Sequence, residues 1–106
     1  MMIGRLQAPA SVRRGEPFEV RVLMQHAMET GFRRDLDGRA IPMNVIDKVT
    51  CRFAGVEVFS AELGSGIAAN PYLAFFVTAD ASGELVLEWS DDRGERGRSS
   101  AKVEVR

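Results

Sequence analysis

The stretch Phe18-Glu19-Val20-Arg21-Val22-Leu23-Met24-Gln25 decides the fold. Phe18, Val20, Val22 and Met24 alternate with Glu19, Arg21 and Gln25, the period of a strand with one buried face and one wet face. Working outward, the same period returns along the chain. Downstream, Val45, Val49, Cys51 and Phe53 share one phase, with Lys48, Thr50 and Arg52 in the wet phase. Ala54-Gly55 then reads as a tight hairpin, glycine supplying the positive φ, into a strand from Val56 to Leu63. Gly64-Ser65-Gly66 is a break. Tyr72 to Ala79 forms the next strand, with Leu73, Phe75 and Val77 on one side. Ala81-Ser82-Gly83 turns into a strand carrying Leu85, Leu87 and Trp89, and Asp91-Asp92-Arg93-Gly94 turns into a last one marked by Ala101, Val103 and Val105. Upstream, Leu6 to Ala8 is a short strand broken by Pro9, and Ser11 to Glu16 reads as a connection turning at Gly15. No segment has helical spacing. About seven short strands with regular turn signals predict an all-β fold, an immunoglobulin-like antiparallel β-sandwich; a small OB-like barrel is the alternative.

At 106 residues the chain reads as a single domain spanning 1–106, without repeats or a linker. Hydrophobic residues make up 45%, enough for a core that needs neither disulfide nor metal. Lys+Arg number 14 against 15 Asp+Glu, which argues against a nucleic-acid binder, since such proteins concentrate positive charge. Apart from Lys48 and Lys102 the cations are all Arg, which suits a protein interface and also fits a genomic bias. The opening Met-Met-Ile-Gly-Arg-Leu has no signal-peptide pattern, and no apolar run reaches the roughly 18–20 residues of a membrane span. By residues alone the expectation is a soluble, cytoplasmic protein. A single Cys forms no internal disulfide and leaves the compartment open.

Between two strands lies an unusually long connection, His26 to Met43, where about 2–6 residues are usual. Long loops on rigid β scaffolds tend to carry function. His26 is expected to anchor this loop by bonding a backbone carbonyl or the Glu29 carboxylate. Cys51 shares the phase of Val49 and Phe53 and is expected to be inert core. A copper site needs two His and a Cys, and the chain has one His. Asp35-Leu36-Asp37-Gly38 lacks the further acidic positions of a calcium loop and reads as a turn. No phosphate cradle, nucleotide fingerprint or zinc cluster is present. The expectation is no catalytic residue, metal or cofactor, hence no enzyme. Asn70-Pro71-Tyr72 is the other local feature: Pro71 fixes entry into a strand, and Tyr72 brings an amphipathic ring of the kind interfaces favour.

These pieces resemble the Z subunit of the sulfur carrier complex of thiosulfate oxidation, the SoxZ family. The resemblance rests on His26-Ala27-Met28-Glu29-Thr30-Gly31, Arg33-Arg34-Asp35, Gly38, Ile41-Pro42, Thr50-Cys51-Arg52-Phe53, Asn70-Pro71-Tyr72-Leu73-Ala74-Phe75 and Trp89-Ser90-Asp91-Asp92. Ala27 stands where the family's run has proline. The resemblance implies an immunoglobulin-like sandwich in a heterodimer with SoxY, whose C-terminal cysteine carries the sulfur intermediates between Sox enzymes. It implies the non-carrier role here, since the chain ends Lys102-Val103-Glu104-Val105-Arg106 without a Gly-rich cysteine arm. It also implies the periplasm, by co-export with SoxY, which reverses the cytoplasmic expectation. A homodimer is plausible when SoxY is absent, and membrane and nucleic acid are not expected partners. The residues expected to contact partners are His26, Met28, Glu29, Arg33, Arg34, Asn70, Pro71 and Tyr72. A different immunoglobulin-like interaction module is the competing reading.

Overall fold

The computed structural model describes residues 3–106; Met1 and Met2, which open the stretch read for a signal peptide, lie outside the described residues. Eight strands form: β1 (Gly4–Gln7), β2 (Ser11–Val12), β3 (Phe18–Met24), β4 (Ile46–Phe53), β5 (Val56–Glu62), β6 (Tyr72–Val77), β7 (Gly83–Asp91) and β8 (Arg96–Val105). They make a three-stranded sheet, β1-β3-β6, and a five-stranded sheet, β2-β8-β7-β4-β5. All pairings are antiparallel except β2 with β8, which is parallel. No helix forms among the described residues, so the sandwich expectation holds and the barrel does not.

The core follows the alternation. Val20, Val22 and Met24 of β3 meet Val49 and Cys51 of β4 and Leu85 and Leu87 of β7, all fully buried. Burying each such side chain contributes about 1.5–3 kcal/mol. Trp89 lies between the sheets, against two glycines on different strands. A Cβ at Gly4 or at Gly97 would overlap its ring, so both positions require the smallest residue. Phe59 of β5 stacks on Phe75 of β6, centroids 4.2 Å apart and planes within 4°, closing one side of the sandwich.

Four details differ from expectation. Ser11–Val12 is a strand, not a connection: Pro9 breaks β1, the chain crosses to the other sheet, and Arg106 N–H bonds Val12 O at 3.1 Å. β8 begins at Arg96, because Arg96, Arg98 and Ser100 pair along β7 without any apolar signal. Thr50, in the wet phase, is only 7% exposed, set in mid-sheet between Ser60 of β5 and Glu88 of β7. An irregularity between Ile46 and Lys48 lets Val45 and Ile46 both turn inward. The Ala54-Gly55 hairpin uses positive φ at both residues, 51° and 82°, as a two-residue primed turn requires.

Candidate functional site: an anchored arm and an open sheet edge

The long connection is built, not loose. From Glu29 to Asn44 the chain runs out and back as a hairpin-like arm. At its base, Glu29 and Asn44 exchange backbone bonds of 2.8 and 2.9 Å. Further out, Ile41 N–H bonds Arg33 O at 2.8 Å and Asp35 N–H bonds Arg39 O at 2.9 Å. Asp35 makes the tip by side-chain turn chemistry, its Oδ1 accepting from Asp37 N–H (2.9 Å) and Arg39 N–H (3.0 Å). Gly38, at φ 79°, completes that turn. Arg34 donates to Gly38 O at 2.8 Å. The guanidinium of Arg33 grips Glu29 with two bonds, 2.6 and 3.1 Å, and those bonds hold the Glu29 carboxyl below its usual range despite the desolvation that opposes them. The arm displays two large apolar side chains to solvent: Phe32 is 88% exposed and Leu36 fully so.

The base of the arm is clamped to the β7–β8 turn. His26 Nε2 lies 3.3 Å from Asp91 Oδ2, both side chains almost wholly enclosed. His26 Nδ1 accepts the Met28 N–H at 3.0 Å, so in the neutral ring Nε2 carries the hydrogen and donates it to Asp91. Asn44 Nδ2 bridges Asp91 Oδ2 (3.1 Å) and Asp92 Oδ1 (2.9 Å), and Val45 N–H also donates to Asp92 Oδ1 (3.1 Å). Asp91 Oδ1 takes the N–H groups of Arg93 and Glu95, both at 2.9 Å. Burial alone would raise the Asp91 carboxyl. The donors from Asn44, Glu95, His26 and Arg93 outweigh it and hold that carboxyl below its usual range. Met28, in left-handed backbone at φ 52°, is buried, and its sulfur accepts the Ile46 N–H at 3.3 Å.

On the other flank Asn70 staples His26 twice: its N–H donates to His26 O at 2.7 Å, and its Oδ1 accepts the His26 N–H at 3.1 Å. Asn70 adopts φ 52°, which asparagine tolerates better than most residues. Pro71 is buried, and its carbonyl accepts from Met24 N–H at 3.0 Å.

The expected contact residues therefore separate into two groups. His26, Met28 and Pro71 hold the arm from within and the exposed Asn70 staples His26 from its flank, while Arg33, Arg34 and Tyr72 stand in solvent and Glu29 steadies Arg33. The expected partner of His26, Glu29 or a carbonyl, is corrected to Asp91, because Arg33 occupies the Glu29 carboxylate. Asp91 and Asp92 read from the residues only as a turn, and Asn44 drew no expectation. Two side chains facing each other across many residues leave no local signal. Cys51 is fully buried, and burial pushes its thiol up to about 11.

Tyr72 opens β6, an edge strand that pairs only with β3 among the described residues. Its sequence Tyr-Leu-Ala-Phe-Phe-Val carries no charge. On the outward face Tyr72 and Phe76 are 58% and 67% exposed, Tyr72 opposite Leu23 and Phe76 opposite Glu19 of β3. Edges of folded proteins are ordinarily protected by charge, proline or a bulge; Pro71 stands just before this one, and Tyr72–Val77 itself carries none of the three.

Fold and site together define an immunoglobulin-like sandwich with an anchored arm and an uncharged edge strand. The sequence profile of the family described as "Sulphur oxidation protein SoxZ" matches residues 6–102, and the chain belongs to that family, which places it in sulfur oxidation. No curated protein matches the chain. Among solved structures it is similar to the superoxide reductase (neelaredoxin) from Ignicoccus hospitalis, at 18% identity over 97% of this chain and 80% of that one, TM-score 0.73. It is also similar to the sulfur carrier protein SoxY from Chlorobium limicola f thiosulfatophilum, at 13% identity over 97% and 78%, TM-score 0.66. At these identities both establish the fold alone.

Proposed function

We propose that the chain is the non-catalytic partner subunit of a SoxYZ sulfur carrier, binding a SoxY chain that bears the sulfur intermediates and helping dock it to Sox enzymes. The observation that carries this reading is the unprotected β6 edge with Tyr72, Phe76 and Leu23 beside it, on a chain of the SoxZ family. An uncharged, aromatic edge in water is a pairing surface awaiting a partner. SoxY covers it, while the arm with Phe32, Arg33, Arg34 and Leu36 stands clear for the enzymes that visit the carrier. The compartment is the periplasm, reached by export together with SoxY.

When SoxY is absent the same edge takes a second copy. Antiparallel pairing centred on Ala74 sets Tyr72 opposite Phe76 of the other copy, two aromatic cross-strand pairs with no charge to oppose them. Such an edge contact is smaller than the roughly 1,200 Å² of a stable interface, so the homodimer is weak and yields to SoxY.

Titrating SoxY against the wild-type chain and against Phe76→Lys tests the assignment of the edge. The lysine variant should bind at least about tenfold more weakly, because it removes an exposed aromatic ring and sets a charge where the partner strand would pack. Equal affinity would move the interface elsewhere. Arg34→Glu should leave SoxY binding intact and weaken association of the assembled carrier with a Sox enzyme. Unchanged association with every Sox enzyme would remove the arm from the proposal.

A further inference from the structure

The two sheets turn different faces to solvent. On the five-stranded sheet the register sets opposite charges across from one another: Lys102 faces Glu84, Arg98 faces Glu88 and Lys48 faces Glu62. Covering that face would strip water from many charges at once. The three strands of the smaller sheet hold only three charged residues, Arg5, Glu19 and Arg21, all in the outward phase. The other outward positions of β3 and β6 are Leu23, Tyr72, Ala74 and Phe76, all exposed.

The register arranges these groups in rows. Arg5 lies opposite Leu23 and Leu23 opposite Tyr72, one row across all three strands. Gln7, Arg21 and Ala74 make the next row, and Glu19 faces Phe76 in the one after. A cleft of about 130 Å³ opens here, lined by Arg5, Gln7, Arg21, Val22, Leu23 and Tyr72. Arg21 is already engaged, its Nε donating to Glu19 Oε1 at 2.5 Å. Arg5 has no ion-pair partner among the described residues, so the cleft holds one cation to spare.

Size supplies a second argument. A partner strand laid along β6 alone would bury less than the roughly 1,200 Å² at which stable interfaces begin, so a stable complex needs contact beyond the edge. Two surfaces adjoin β6. One is β5, whose Phe59 stacks on Phe75 and whose exposed positions include Glu57 and Glu62. The other is the outward face of β3 and β1, where the one carboxylate, Glu19, is held by Arg21. The second costs less to cover.

We propose that the SoxY partner lies across this face from β6 to β1 and sets a carboxylate side chain into the cleft against Arg5. The inference rests on the SoxY reading given above and names the face that SoxY covers. A guanidinium covered by protein without a counter-charge opposes binding, whereas a carboxylate offers two acceptors that match its fork. Tyr72 and Leu23 give the stem of that side chain an apolar wall. The five-stranded face stays in water.

Calorimetric titration of the intact chain with SoxY, at low and at high sodium chloride, tests the inference. Arg5→Glu should weaken binding at least about tenfold, since it sets two carboxylates together. Arg5→Met, which keeps much of the apolar stem, should weaken it less and flatten the dependence of affinity on salt. Arg98→Glu, on the opposite face, should leave affinity within about twofold. Arg5 and Arg98 are both exposed, and thermal midpoints report that each variant is folded. If the wild type binds SoxY and Arg5→Glu binds equally well, or Arg98→Glu weakens binding as much, this inference falls and the SoxY reading stands. If the wild type does not bind SoxY, both fall together.

Discussion

His26 and Asp91, 65 residues apart in sequence, meet at 3.3 Å in an enclosed pocket, and the arm from Glu29 to Asn44 hangs from that contact. One end of the histidine orders the backbone at Met28, and the other fixes the carboxylate that also gathers Asn44, Arg93 and Glu95. The clamp joins the base of the arm to the β7–β8 turn, so the orientation of the arm is inherited from the core.

Asp91→Asn should therefore destabilise the protein beyond what a surface change does. It leaves backbone donors facing an amide of which half is itself a donor, and a buried network broken this way costs about 1–3 kcal/mol. Urea unfolding measures the loss. Hydrogen exchange should show residues 29–44 opening before the strands; uniform exchange across the molecule would mean that the clamp does not hold the arm.

The same carboxylate sets an acid limit. The Asp91 carboxyl is lower in the folded state than in the unfolded chain, so the unfolded state takes up its proton first on acidification. The stabilisation is present above the ordinary aspartate value of about 3.9 and is lost as pH falls through the folded value. Thermal midpoints of the wild type should fall more steeply than those of Asp91→Asn below about pH 4. Parallel curves would contradict the assignment.

Cys51 runs in the opposite sense. Its thiol, pushed up to about 11, stays protonated in the folded chain where the unfolded thiol, at about 8.5, has ionised. Stability is unaffected below that value and declines as pH rises toward the folded one. Near neutrality a thiol reagent should modify the folded protein roughly a hundredfold more slowly than the unfolded chain. Rapid labelling of the folded form would place Cys51 at the surface.

Gly97→Ala should cost about 1–3 kcal/mol, since its methyl would overlap the Trp89 ring in a packed interior. Gly64→Ala, where a Cβ meets nothing, is the control and should change stability by less than about 0.5 kcal/mol. Equal effects at the two positions would show that the ring has room to move.

Much of the fold was legible because sheets write period 2 into the sequence. β3, β4 and β7 announce themselves through Val20, Val49 and Leu87, each fully buried within an alternating run. β2 and the first half of β8 did not. Ser11–Val12 pairs in parallel with a distant strand, and Arg96-Gly97-Arg98 alternates glycine with cations, so neither offers an apolar stripe. At the site, His26 and Asn70 stood out by type and Tyr72 by its ring. Asp91 and Asn44 did not, because what defines each is a neighbour far away in sequence.

The measurement that bears most directly on the whole account is the stoichiometry and affinity of the purified chain with a SoxY protein, followed by calorimetry. A one-to-one complex that Phe76→Lys weakens at least about tenfold, with the variant's thermal midpoint unchanged, is the predicted result. If wild-type chain and SoxY, both folded, produce no binding heat and elute separately, the partner-subunit account is contradicted.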